Sequence, residues 1–219
     1  MRKETIKKIL GDLPFTAELY WTLRQAGEPP VGGYSLKRMK KALPGWVSQA
    51  NDVINGSRNK SKKTGKKVLV FTMLRYWLEQ TTMMSLALNV LGHGVTLAYL
   101  PFAHWKKSVN RFDLRRQARY IHNTLKTAMR HLDIVSVVDI SGEREIPASL
   151  KELIPKAAYR DLQYSLLRED VNQDSDLYHL RTSRNQAQAS RMFTFMQDSR
   201  LNVVLVPNGS MLEFGITAT

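Results

Sequence analysis

Glu79 and His104 are the two side chains of this sequence best suited to take a proton from a hydroxyl group. Glu79 ends the segment Thr72-Met-Leu-Arg-Tyr-Trp-Leu-Glu79, and His104 lies in Pro101-Phe-Ala-His-Trp-Lys-Lys107. A positioned carboxylate or imidazole acts as a general base, and imidazole titrates near neutrality. We favour Glu79, because it needs no tautomer assignment, although a helix N-terminus weakens a carboxylate as a base. In the structural alternative, Glu79 only favours a helix start and His104 only packs beside a tryptophan.

Arg75, Tyr76 and Trp77 have the chemistry of a ligand-binding loop. The guanidinium of Arg75 can hold an anion, and the rings of Tyr76 and Trp77 can stack on a sugar. Loops beyond the ends of strands carry binding residues disproportionately. The alternative is that Trp77 belongs to the hydrophobic core together with Leu78.

A second candidate binding segment consists of Asn208, Gly209 and Ser210. Unpaired backbone N–H groups at the helix N-terminus predicted there favour an anion or a sugar hydroxyl. Ser210-Met-Leu-Glu213 also has the capping-box pattern, in which Ser210 and Glu213 satisfy each other's backbone N–H groups. Capping is the safer interpretation, and both roles are compatible.

Four apolar runs of strand length must position these residues. They are residues 67–72, 95–100, 134–140 and 201–206. Helical patterns separate them, at residues 78–91, 111–130, 149–168 and 176–198. This alternation predicts an α/β fold with a Rossmann-like parallel sheet, whose first strand is apolar enough to be covered on both faces. Ligands bind beyond the carboxyl ends of such strands, so the candidate residues should line one edge, with the first and fourth strands adjacent across a switch in strand order.

The sequence before the first strand predicts a helical N-terminal arm over residues 1–55. Pro44-Gly45 should break it, separating a short helix over 35–43 from a helical stretch over 46–54. Residues 56–66 form a basic segment that we interpret as a flexible linker. The domain organisation is therefore an arm over 1–55, a linker over 56–66 and a Rossmann-like domain over 67–219.

The chain of 219 residues has a net charge of +14 and no cysteine. This excess of basic residues suits an anionic partner such as nucleic acid, phospholipid head groups or a phosphorylated substrate, or forms a solvated surface. No apolar run reaches the ~20 residues of a membrane helix, and no secretory signal is visible, so a cytoplasmic location is the default expectation.

The pair Asp174-Ser-Asp176 is better explained by helix capping than by metal binding.

Two segments of the sequence together have the pattern of a known family. The first runs from Lys67-Val-Leu-Val-Phe through Trp77-Leu-Glu79 to Ser85-Leu-Ala-Leu-Asn-Val-Leu-Gly-His-Gly-Val-Thr-Leu97. The second is Val203-Val-Leu-Val-Pro-Asn-Gly-Ser-Met-Leu-Glu-Phe-Gly215. They resemble the N-terminal, acceptor-side half of bacterial GT-B-type glycosyltransferases, closest to those of capsule-polysaccharide biosynthesis. The resemblance covers roughly residues 66–215 and is moderately specific.

The resemblance implies two Rossmann-like domains that face each other, of which this chain supplies the acceptor half. A saccharide or lipid-linked acceptor would bind here, with Glu79 or His104 as the general base. A nucleotide-sugar donor would bind the missing half, and no metal cofactor is expected. The location would be cytoplasmic, with a possible peripheral contact at the inner membrane face. We expect no turnover by this half alone.

Two other classes of function stay open. The basic segments could form a binding module for nucleic acid, which we rank lower, or for an anionic membrane surface, with binding that weakens steeply as salt rises. The fold could also be a sugar-binding scaffold without chemistry. Because the sequence ends just after a strand and a helix start, we expect the natural protein to continue, and a longer reading frame would discriminate between these classes.

Overall fold

The computed structural model describes residues 3–25, 28–30, 35–56, 65–73, 77–101, 104–140, 144–209 and 212–218. The strands are β1 (Lys67–Met73), β2 (Gly94–Leu100), β3 (Asp133–Ser136) and β4 (Val203–Leu205). The α-helices are α1 (Lys3–Asp12), α2 (Thr16–Tyr20), α3 (Lys37–Gly56), α4 (Leu78–Val90), α5 (Arg111–Leu125), α6 (Ala148–Leu166), α7 (Asp176–Ser199) and α8 (Leu212–Thr217). A π-helical turn covers Trp21–Gln25, and 3₁₀ turns cover Ala128–Arg130 and Val137–Asp139.

The four strands form one all-parallel sheet in the order β3-β2-β1-β4. Val68 of β1 lies opposite Val95 on one side and Val203 on the other. The chain therefore builds the sheet outward from β1 to β3 and then returns to the free side of β1. This confirms the predicted α/β, Rossmann-like parallel sheet and the adjacency of the first and fourth strands.

Strand β1 is buried on both faces, as its continuous apolar sequence predicts. Val68 and Val70 pack on the side of α3, α4 and α5, whereas Leu69 and Phe71 pack on the side of α7. A central strand between two helical layers has no solvent face, so it needs no alternation of polar residues. Helices α6 and α8 pack in turn against α7.

The N-terminal helices pack against the rest of the fold, and Pro44 does not break α3. Helix α3 runs without interruption through Pro44, so the predicted break is wrong. An internal proline costs about 3 kcal/mol, but Leu43 and Val47 on either side of it are buried with β1, and each buried side chain of this size contributes about 1.5–3 kcal/mol. Helices α1 and α2 pack on α5. The boundaries between arm, linker and domain stay a prediction, and residues 57–64 lie outside the described part.

Three predicted elements are shorter than expected. The third strand ends at Ser136, where a 3₁₀ turn places Val137 in the core beside α7. The basic helix after Arg111 ends at Leu125, and β4 has three residues instead of six. In the third and fourth strands the apolar run is longer than the backbone pairing, because side chains beyond a strand end can still be buried.

A buried ion triad joins the three helices on the α7 side of the sheet. Nε of Arg181 donates to Oδ2 of Asp161 at 2.7 Å, and its Nη1 donates to Oε1 of Glu213 at 3.0 Å. All three side chains are fully buried. Burial by itself lowers the pKa of the Arg181 guanidinium, but the two carboxylates outweigh it and raise the pKa above its ordinary value. The triad thus fixes α6 and α8 onto α7.

We predict that Arg181→Met lowers the free energy of unfolding by about 3–5 kcal/mol, because it leaves two buried carboxylates without their cation. Urea denaturation followed by circular dichroism measures the loss. Arg160→Met is the matched control, since Arg160 is an exposed arginine on α6 and its removal should change stability by less than about 0.5 kcal/mol. Equal losses in the two variants would contradict a stabilising role for the triad.

Candidate functional site

The switch in strand order lies between β1 and β4, and Trp77 stands at its carboxyl edge. Trp77 lies four residues after Met73, the last residue of β1, and its backbone forms an isolated bridge with Met73. It has a φ of 66°, in the left-handed region, and its side chain is 47% exposed, whereas the adjacent Leu78 is core. A left-handed conformation costs an L-residue roughly 1–2 kcal/mol. The ring of Trp77 is not fully buried, so full burial does not offset this cost. Strain held at an exposed aromatic marks a candidate ligand contact.

The turn after β4 supplies the opposite side of the switch. Asn208 is half-buried and Gly209 is exposed. A side chain at Gly209 would have room, since its Cβ would lie 3.7 Å from the Cβ of Ala218. Three of the predicted ligand residues lie outside the described part of the chain: Arg75, Tyr76 and Ser210. Their roles therefore stay predictions.

Glu213, to which the capping-box pattern assigned a role at the helix N-terminus, is engaged elsewhere. Its Oε1 accepts a hydrogen bond from Arg181, and the side chain is fully buried. The Glu213 carboxylate therefore points into the protein interior and pairs with Arg181, and it does not face solvent. The ion pair with Arg181 holds the start of α8 against α7.

Glu79 lies in the first turn of α4 and faces α3. Its Oε1 accepts hydrogen bonds from Nε and Nη2 of Arg38, at 3.1 Å and 2.9 Å. Because Arg38 is largely exposed, the pair contributes little to stability. It does, however, hold the Glu79 carboxylate in an ion pair with α3.

His104 follows β2, and Arg184 of α7 holds its loop in place. Nη1 of Arg184 donates to the carbonyl oxygen of His104 at 2.8 Å, and Nη2 donates to that of Lys107. Trp105 packs into the core beneath α7. The two candidate bases are therefore attached to opposite faces of the sheet, Glu79 to α3 and His104 to α7. The strand order makes the segments after β1 and β4 neighbours along the carboxyl edge and places the His104 loop on the other side of β1.

Sequence reasoning missed a polar stripe on α7 behind this edge. Its members are Arg181, Arg184, Asn185 and Gln188, spaced by three and four residues. Both amide atoms of Asn185 and Oε1 of Gln188 are buried without a hydrogen-bond partner among the residues that the structure describes. Nε2 of Gln188 donates to Oγ1 of Thr217 on α8. The spacing was visible in the sequence, but a polar helical stripe is ordinarily the face turned to solvent.

The electrostatics of Arg184 follow from this placement. Burial lowers the pKa of its guanidinium, and Arg181 acts in the same direction, while Glu213 and Asp161 oppose them. Arg184 thus links the buried triad to the loop that carries His104. The loops after β2 and β4 share one support, which is α7.

Within the described ranges, no three acidic or histidine side chains gather closely enough to hold a metal ion. Over the same ranges, no helix combines the length and the apolar character needed to cross a bilayer. Comparisons with protein-family models, with curated protein sequences and with solved structures found no match to this chain.

We predict that Arg184→Met loosens the loop over residues 104–107. Each lost hydrogen bond from the charged guanidinium is worth about 1.5–3 kcal/mol, so amide exchange in this loop should rise by an order of magnitude or more. Hydrogen–deuterium exchange resolved to peptides measures it, with Arg160→Met as the control. An increase spread evenly over α7 and the sheet would instead indicate global destabilisation and contradict a local role.

Proposed function

We propose that this chain is the acceptor-binding half of a GT-B-type glycosyltransferase that transfers a sugar from a nucleotide-sugar in cell-surface or capsular polysaccharide synthesis. The observation that carries the proposal is the strained, half-exposed Trp77 at the carboxyl edge of the β1–β4 switch. Open parallel sheets bind ligands at such a switch, and an exposed indole offers a flat apolar surface to a sugar ring. The resemblance of the two segments around β1 and β4 supports the same assignment.

Each candidate residue has a proposed role at this edge. Trp77 and Tyr76 stack on the acceptor, Arg75 holds an anionic group, and the turn of Asn208, Gly209 and Ser210 binds hydroxyl groups through its backbone. The general base is His104 or Glu79. We now favour His104, because the carboxylate of Glu79 already has Arg38 as an ionic partner.

The donor has no proposed site in this chain. A second Rossmann-like domain would bind the nucleotide-sugar, and helix dipoles with basic side chains would offset its diphosphate charge without a metal. We place the enzyme in the cytoplasm, in peripheral contact with the membrane that carries a lipid-linked acceptor. Turnover would require both halves.

A non-catalytic module for nucleic acid is the less favoured alternative. The basic helix α5 suggested it, but much of the helix's charge is used within the chain. Arg115 pairs with Glu18, and Arg116 is buried and pairs with Asp113. Guanidinium groups held in this way cannot contact phosphates without breaking those pairs.

We predict that this chain binds saccharides on its own and that Trp77→Ala weakens the binding roughly tenfold, the worth of one aromatic stacking contact. Saturation-transfer NMR against a panel of methyl glycosides and oligosaccharides identifies a binder and measures its affinity. Tyr164→Ala is the control, since Tyr164 is an exposed aromatic residue on α6. Binding that is equally lost in both variants, or that is unaffected by Trp77→Ala, would contradict the assigned site.

We predict that, in an enzyme that joins this half to a donor-binding half, loss of the general base lowers turnover by on the order of 10²–10⁴-fold and leaves donor binding unchanged. His104→Ala should show this loss, and Glu79→Gln should show less. The reverse order would return the role to Glu79. Near-normal turnover in both variants would leave the proposed enzyme without a base in this half.

A further inference from the structure

Helices α1 and α2 lie side by side on α5, and the sides turned away from α5 are apolar. The inward positions are closely packed: a Cβ at Gly11 would lie 2.8 Å from the backbone nitrogen of Phe112, and Ala17 and Trp21 are buried. Six exposed apolar side chains form what we call the outer face. They are Ile6, Ile9, Leu13, Phe15, Leu19 and Leu23.

The helical spacing explains why this face is continuous. Ile9 in α1 and Leu13, the residue after its end, are each two positions from the inward-facing Gly11, which places them on the side away from α5. In α2 and the π-helical turn, Leu19 and Leu23 are four residues apart and offset by two from Ala17 and Trp21 in the same way. Both helices thus turn an apolar stripe in the direction opposite to α5.

Phe15 joins the two stripes at the bend between the helices. It has a φ of 62°, in the left-handed region, and its side chain is 72% exposed. A glycine would adopt this backbone without cost, so the phenylalanine contributes strain and an exposed ring and no core burial. Clustered exposed apolar side chains of this kind mark an interaction surface.

The acids of the two helices that carry the outer face all have ionic partners. Helices α1 and α2 with the π-helical turn carry four basic and three acidic side chains. Glu18 pairs with Arg115, Asp12 with Arg111, and Glu4 with Lys7. Lys8 and Arg24, which flank the outer face, are exposed.

We propose that the outer face of α1 and α2 docks onto an anionic lipid bilayer. Apolar side chains rimmed by exposed cations are the composition of interfacial helices, which sink their apolar side to the level of the acyl chains while their cations bind anionic head groups. The charged backbone of nucleic acid would not bury exposed leucine and isoleucine side chains. A second copy of this chain would bring like charges together, given the net charge of +14. The outer face would be the surface through which the protein makes its peripheral membrane contact, and this proposal does not depend on glycosyl transfer.

The absence of cysteine from the sequence makes a site-specific test possible. Leu19→Cys and, as the matched control, Leu167→Cys each receive one environment-sensitive NBD fluorophore. Leu167 is an exposed leucine at the end of α6, away from the outer face. With vesicles of phosphatidylcholine and phosphatidylglycerol, emission from position 19 should rise and shift to the blue, and emission from position 167 should not. A response at both positions, or at neither, overturns the proposal.

Vesicle co-sedimentation separates the apolar and the electrostatic parts of the binding. Leu19→Gln with Leu23→Gln should lower the partition coefficient by on the order of tenfold or more. Lys8→Gln with Arg24→Gln should lower it roughly fivefold for each cation, and vesicles of pure phosphatidylcholine should bind much more weakly. Phe15→Gly should weaken binding without any loss in unfolding free energy, which a purely structural residue would not do.

Analytical ultracentrifugation without lipid tests the alternative that a second copy of the chain covers the outer face. The protein should sediment as a monomer over the concentrations used with vesicles. A dimer that dissociates in the Leu19→Gln, Leu23→Gln variant would show that the outer face joins two copies of the chain, and would overturn the bilayer proposal. Saccharide binding by the same samples is an independent measurement, so the two proposals fail separately.

Discussion

The buried guanidinium of Arg181 is the constraint on which the carboxyl edge of the sheet depends. A buried cation is tolerated only with well-placed anionic partners, and these come from α6 and α8. Strand β4 pairs with β1 over only three residues, so the sheet alone holds the last segment weakly. The ion pair to Glu213 therefore determines where α8 and the turn of Asn208 and Gly209 lie.

Helix α7 transmits this constraint to the other side of the edge. Arg184, one turn after Arg181, holds the carbonyl groups of the loop that carries His104. The same helix buries Met192 against β1 and its neighbours. Loops that follow two different strands are thus positioned by one stripe of side chains. A change in this stripe should move both sides of the candidate site together.

Two exposed aromatic residues, Phe15 and Trp77, share an unusual backbone. Both have a positive φ, and both lie at a helix start without full burial of the ring. Neither conformation is explained by burial of the ring, since the buried residue that follows is Ala17 in the first case and Leu78 in the second. The two proposals interpret this strain as the mark of two contact surfaces, one at the β1–β4 switch and one on the N-terminal helices.

The sequence by itself determined the fold class and the parallel sheet, because apolar runs and their alternation with helices are local patterns. The switch in strand order that such sheets usually have added the adjacency of the first and last strands. Tertiary structure decided what local patterns do not contain. Pro44 stays inside a helix because distant β1 side chains bury its neighbours, and Glu213 turns inward because Arg181, 32 residues earlier, lies buried beside it. The Arg38–Glu79 pair likewise joins residues 41 positions apart. These pairings depend on how separate elements pack against each other, so the residue spacing within one element does not predict them.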